Sequence, residues 1–139
     1  HGVLMGGAVG RADFIRTNIC QQAIFYERTV FEMLGGFDLK YKVFADWAFN
    51  MKCFADARLR KVYLGLVVAD FEGWGISDTQ ADAHFVEDFP TLIRKYVGAS
   101  HYARYRIYLA RCSFYRFRHG LADFVKATAR RPGSMLRRQ

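Results

Sequence analysis

Asp46 is the residue best suited, by type and position, to do chemistry. It stands in the run Ala45-Asp46-Trp47, at the head of a predicted helix. A carboxylate held there can take a proton from a hydroxyl within hydrogen-bond reach, the task of a general base. The same placement suits an N-cap, whose side chain accepts a first-turn backbone N–H. Both roles can coexist. A helix N-terminus also lowers a carboxylate's pKa, which predicts an ionised but weakened base. Gln21 and Gln22 are predicted to be adjacent on a strand and so to face opposite ways. One of them at most can reach a ligand; a buried amide satisfied by backbone is the plainer role. Trp74 sits between two glycines in Gly73-Trp74-Gly75-Ile76-Ser77, suited to stacking on a ligand or packing on the core. Asp38 follows Gly35-Gly36 and suits a turn as well as a ligand. Asp70 and Glu72 flank a predicted strand end.

The elements that must hold these residues alternate and then turn helical. His1–Gly10 reads as a short strand or hairpin and Arg11–Asn18 as a connector or short helix. Ile19–Tyr26 reads as a buried strand and Glu27–Leu34 as a short helix ended by Gly35-Gly36 in a left-handed cap. A second helix is predicted from Asp46 to about Ala57, with Trp47, Met51 and Phe54 as one apolar stripe beside Ala48 and Ala55. Arg58–Phe71 holds one or two strands. Helices are then predicted near Ala81–Val97, over His101–His119 and over Leu121–Ala129, the last stopping before Pro132-Gly133. Gly98-Ala99-Ser100 is the natural joint, giving units of residues 1–98 and 99–139.

The 139 residues are 52% hydrophobic and 24% charged, enough for one domain with a real core. No apolar run has the length of a transmembrane helix, and no signal peptide is visible. Three distant cysteines, Cys20, Cys53 and Cys112, argue against a disulfide framework and fit a reducing cytosol. The four histidines and the cysteines lack zinc spacing, so no metal site is expected in this chain. Charge is uneven. Residues 1–93 carry 9 Lys+Arg against 12 Asp+Glu and residues 94–139 carry 12 against 1, splitting the net +8 into −3 and +11.

Taken in order, Ile19-Cys20-Gln21-Gln22-Ala23-Ile24-Phe25-Tyr26, Phe31, Leu34-Gly35-Gly36-Phe37-Asp38, Tyr41 and Ala45-Asp46-Trp47 resemble the second half of bacterial family 2 glycosyltransferases. Order and spacing match over roughly residues 15–77; the rest matches in general character only. The resemblance implies an α/β fold of GT-A type. Its N-terminal, Rossmann-like half binds the nucleotide and ends in an Asp-x-Asp that holds a divalent metal. Its C-terminal half carries the acceptor site and the base. This sequence has no Asp-x-Asp and no glycine loop suited to a nucleotide. The expected fold is therefore a partial GT-A domain lacking its nucleotide-binding half, followed by a helical tail. A fragment of a longer enzyme is the expectation.

The resemblance further implies an inverting transfer with Asp46 as base and Gln22 as a substrate contact. Gln21 stands where relatives usually carry His, and Ala45 where many carry a second acid. The Trp74 loop would help close the acceptor site, with Trp74 against a sugar face. Mg or Mn is expected in the full-length enzyme, with ligands mostly outside this chain. The partners implied are a nucleotide-sugar donor, bound through the absent half, and a glycan or lipid-linked acceptor in cell-surface polysaccharide or glycolipid synthesis.

The basic aromatic stretch His101–His119 reads as a docking helix, as a membrane-surface helix meeting anionic headgroups, or as a nucleic-acid binder. No nucleic-acid motif is present, so that last partner is not expected. A cytoplasmic protein, peripheral at the inner face of the membrane, follows from the second. The alternative to an enzyme is a membrane- or RNA-docking module in which Asp46 only caps its helix.

Overall fold

The computed structural model describes residues 7–69 and 80–113. The chain divides into two compact units, His1–Tyr102 and Ala103–Gln139.

In the first unit, a 3-10 turn over Arg11–Ile15 leads to a second over Gln21–Ala23. Helix α1 follows at Arg28–Leu34 and α2 at Ala45–Ala55. Helix α3 spans Ala83–Leu92, with Pro90 inside it, and continues as a π turn over Ile93–Val97. Gly98, at φ 124°, ends that turn. A further helix, α4, occupies 99–113 of the described residues.

The helices predicted at Glu27–Leu34, from Asp46 and near Ala81–Val97 stand where hydrophobic spacing put them, within a few residues at each end; His101–His119 is described only as far as residue 113, and Leu121–Ala129 lies outside the described residues. Gly35 ends α1 at φ 78°, a region that side chains avoid. Lys52 of α2 adds a second device there by donating Nζ to the Leu34 carbonyl, a cation satisfying the last turn of a helix.

The strand expectations over Ile19–Tyr26 and residues 58–69 are corrected, while most of the His1–Gly10 expectation and residues 70 and 71 lie outside the described residues. Among the described residues there is no β-strand, so the α half of the α/β expectation is what the structure displays. Gln21–Ala23 winds into a 3-10 turn instead of extending. Ala23 N–H donates to the Cys20 carbonyl at 2.8 Å and Ile24 N–H to Gln21 at 3.4 Å. These local bonds take backbone groups that a strand would give to a neighbour. Residues 60–69 run without regular structure, with Val62, Tyr63, Leu64, Leu66 and Val67 all exposed. Gly65, at φ 65°, breaks the pleat at the centre of that apolar run.

Helix α2 is the axis of the unit, and the single apolar stripe predicted for it is too narrow. Ala48, Phe49, Asn50, Met51 and Cys53 are all buried, on several sides of the helix. Tyr41, Phe44, Trp47, Phe85 and Phe89 pack on one side. Tyr26, Phe31 and Phe37 gather around Phe49 on another, with the Phe31 and Phe49 rings stacked at 5.1 Å. Phe14 meets Phe54 edge-on at 4.8 Å. Phe14, Met51 and Ile93 are fully buried, each contributing about 2 kcal/mol of hydrophobic stabilisation. With apolar neighbours around most of its girth, α2 has little freedom to rotate, and the side chains on its first two turns are fixed with it.

Candidate active site

Asp46 is the second residue of α2, with Phe44 as the N-cap. It is therefore not the cap that the sequence suggested, though it lies in the first turn. Its Oδ1 accepts the backbone N–H of Trp47 at 2.7 Å, and its Oδ2 accepts Asn18 Nδ2 at 2.9 Å. A carboxylate offers about four acceptor positions, so each oxygen keeps room for another donor. The side chain is half-buried.

Burial pushes the Asp46 carboxyl above its ordinary pKa; the Trp47 N–H and the Asn18 amide pull the other way without cancelling it. This corrects the expectation of a weakened base. The helix N-terminus does favour the anion, but desolvation is the larger effect here. A raised carboxyl pKa makes a stronger proton acceptor.

Behind Asp46 runs a chain of hydrogen bonds. Asn50 lies four residues on, one turn along the same helix face, and is fully buried. It donates Nδ2 to Asn18 Oδ1 at 2.9 Å, and its Oδ1 accepts the Tyr26 hydroxyl. A buried amide must find partners at both ends or cost several kcal/mol, and Asn50 has both. Tyr26 itself meets Phe31 and Phe49 edge-on. Its phenol is pushed well above the ordinary range, first by burial, then by Cys53 and Asp46. Cys53, buried beside this group, has its thiol pushed up to about 11 by burial, so it stays a protonated thiol and no nucleophile.

Trp47 positions the same helical turn from the other side. Its Nε1 donates to the Phe14 carbonyl at 2.9 Å, and its ring meets Phe44, Phe85 and Phe89.

The other predicted site residues fall differently. Gln21 and Gln22 are exposed in the 3-10 turn, not on opposite faces of a strand. Asp38 is exposed and builds a turn: Oδ1 accepts the Lys40 N–H at 3.0 Å, and its carbonyl accepts the Tyr41 N–H at 3.1 Å. Ala45 supplies no second carboxylate beside Asp46. Trp74, Asp70 and Glu72 lie outside the described residues. Among the described residues no three His, Cys, Asp or Glu side chains gather as a metal site would require.

Asn18, Tyr26 and Asn50 carry no motif, and the sequence did not single them out. The Asp46–Asn50 spacing of one helical turn was the available signal, a polar residue placed where α2 should be apolar.

The curated relatives that this chain resembles are glycosyltransferases. They include the PGL/p-HBAD biosynthesis glycosyltransferase of Mycobacterium bovis BCG Pasteur and its namesakes in Mycobacterium tuberculosis H37Ra and H37Rv. Each is 42% identical over 80 residues, which cover 57% of this chain and 31% of the relative. The chain thus spans under a third of the length of the curated relatives it matches. No family model matches it. No solved structure matches it.

Proposed function

We propose that the protein containing this chain is an inverting family 2 glycosyltransferase of GT-A fold, and that this chain supplies its acceptor side with Asp46 as base. The observation that carries the proposal is the state of Asp46: a half-buried carboxylate, held by one donor on each oxygen, with its pKa raised. Similarity to glycosyltransferases of PGL/p-HBAD biosynthesis supports the same chemistry.

In the proposed step the acceptor hydroxyl attacks the anomeric carbon. The new C–O bond forms as the bond from that carbon to the nucleotide diphosphate breaks. The hydroxyl proton passes to a free lone pair of Asp46, and the diphosphate leaves with the bonding electrons. The acceptor is a glycan or lipid-linked hydroxyl and the donor a nucleotide-sugar. The divalent cation of such enzymes finds no ligand set among the described residues.

The membrane enters through α4. Arg104, Ile107 and Arg111 are exposed and, with Tyr108, line one shallow hollow on that helix. Apolar atoms between arginines suit an anionic lipid surface, which would bring a lipid-linked acceptor to the enzyme at the inner face of the membrane. Among the described residues no helix is long and apolar enough to cross a membrane.

Transfer assays on the protein containing this chain test the base. Asp46→Asn should lower kcat by roughly 10²- to 10⁴-fold, the usual contribution of a general base. Transfer at the wild-type rate would remove the assignment.

A further inference from the structure

The chain of bonds from Tyr26 through Asn50 and Asn18 to Asp46 has a direction. Asparagine presents a carbonyl acceptor on one side of its amide and an NH₂ donor on the other. The Tyr26 hydroxyl donates to Asn50 Oδ1, which turns the Asn50 NH₂ towards Asn18. Asn18 accepts through Oδ1, which turns its own NH₂ towards Asp46. A donor therefore arrives at a carboxylate, which only accepts. The carboxylate end demands this polarity, and the Tyr26 hydroxyl satisfies it by donating to the Asn50 carbonyl oxygen.

We propose that Tyr26, Asn50 and Asn18 are positioning residues that hold Asp46 ionised and turned for proton transfer, Tyr26 acting through two amides without touching it. The proposal rests on the reading of Asp46 as base. Tyr26 can hold the polarity because burial keeps its phenol protonated far above neutral pH. Asn50 can transmit it because it is fully buried and water does not compete for its amide. Asn18 carries it across 28 residues of sequence, from the connector between the two 3-10 turns to α2.

Without the Tyr26 hydroxyl, the Asn50 amide is held in this orientation from the Asp46 end alone. It can flip, presenting its carbonyl to Asn18, and Asn18 must then flip to donate back. The Asn18 carbonyl would face the Asp46 carboxylate, a contact that favours the protonated acid. A purely structural network predicts otherwise: losing the hydroxyl would cost stability around Asn50 and leave Asp46 as it was.

The test is the titration of Asp46 in the full 139-residue chain, followed by NMR of ¹³C-labelled aspartate carboxyls and assigned through the signal lost in Asp46→Asn. Asn18→Leu should move the midpoint up by about one pH unit, the loss of one charge-assisted hydrogen bond. Tyr26→Phe should move it in the same direction by less. An unmoved midpoint in Tyr26→Phe, with circular dichroism showing the fold intact, overturns the relay. That variant decides alone if Asn18→Leu does not fold. The base reading is judged separately. If transfer survives Asp46→Asn while the midpoint still shifts, the base falls and the coupling stands. If Asp46→Asn abolishes transfer and Tyr26→Phe moves nothing, the base stands and the relay falls.

Discussion

Asp82 Oδ2 accepts the backbone N–H of Val43 at 2.9 Å, across 39 residues of chain. The same oxygen accepts the Phe44 N–H at 3.3 Å, while Oδ1 accepts that of Phe85 at 3.2 Å. Asp82 is thus the N-cap of α3 and also the clamp on the segment entering α2, whose N-cap is Phe44. Asp46 stands two residues beyond that clamp. The placement of the candidate base therefore depends on a buried carboxylate from a distant part of the sequence.

Asp82→Ala removes the acceptor for three backbone donors. A lost cap costs about 1 kcal/mol, and each buried donor left without a partner about 1–3 kcal/mol. Water reaching the clamp offsets part of this, so about 2–4 kcal/mol of destabilisation is expected in urea unfolding. A change below about 0.5 kcal/mol, the range of an ordinary surface substitution, would show that the clamp carries no stability.

The same carboxylate predicts acid sensitivity. Burial works to raise its pKa, but the backbone N–H groups of Val43, Phe85, Phe44 and Lys42 overcome it, leaving the folded value below the ordinary one. A depressed carboxyl stabilises the fold above its unfolded pKa, about 3.9, and that contribution is lost as pH falls through the folded value. Asp56, held at about 2 by Arg58, and Asp88, lowered by Lys40, act in the same direction. Unfolding free energy should therefore fall steeply below about pH 4, and Asp82→Asn should flatten that limb without abolishing it. Equal slopes in the two proteins would contradict the assignment.

What the sequence made legible follows from the range of the interactions involved. Helices α1, α2 and α3 announce themselves through apolar spacing and through Gly35, all local signals. The 3-10 turn at Gln21–Ala23 was hidden because Ile19–Tyr26 is rich in the residues strands favour, and whether such a run extends depends on a neighbouring strand. The place of Asp46 in the first turn of α2 was legible from its motif. Its surroundings were not, since Asn18 and Tyr26 reach it through contacts 24 to 32 residues long that leave no periodic trace. The sign of its pKa shift was misjudged for the same reason: the helix terminus is visible in sequence, and the burial that outweighs it is not.

Gly35 offers a test of local backbone. Its φ of 78° and ψ of 179° lie where glycine alone is comfortable. No atom comes within 4 Å of where a Cβ would stand, so Gly35→Ala meets no steric clash and reports conformation only. A loss of about 1–3 kcal/mol is expected in thermal or urea unfolding. Gly36→Ala is the control: its Cβ position is equally open and it is not among the positive-φ glycines. It should cost less than about 0.5 kcal/mol. Equal costs would place the α1 terminus elsewhere.

The proposed membrane face makes a charge prediction. Reversing Arg104 and Arg111 to Glu should weaken sedimentation with phosphatidylserine-containing vesicles by at least 30-fold at low salt, from about 1 kcal/mol per basic residue. Raising salt should weaken the wild type towards the variant. Binding that ignores both changes would show that these arginines do not make the contact, and no binding at low salt would leave α4 a docking helix that never meets lipid.

Asp46 makes a prediction opposite in sign to that for Asp82, and it separates a carboxylate raised by burial from one that caps a helix. Its folded pKa is raised, chiefly by burial. A carboxyl of this kind binds its proton more tightly folded than unfolded, so ionisation works against the fold at neutral pH. As pH falls from neutrality towards the unfolded value of about 3.9, the folded state takes up the proton first and gains stability. In Asp46→Asn that gain is absent. The unfolding free energy of wild type minus variant should therefore move in favour of wild type as pH is lowered through this window, measured by urea titration at each pH. A carboxylate serving the fold as a helix cap would have a depressed pKa, and the difference would run the other way.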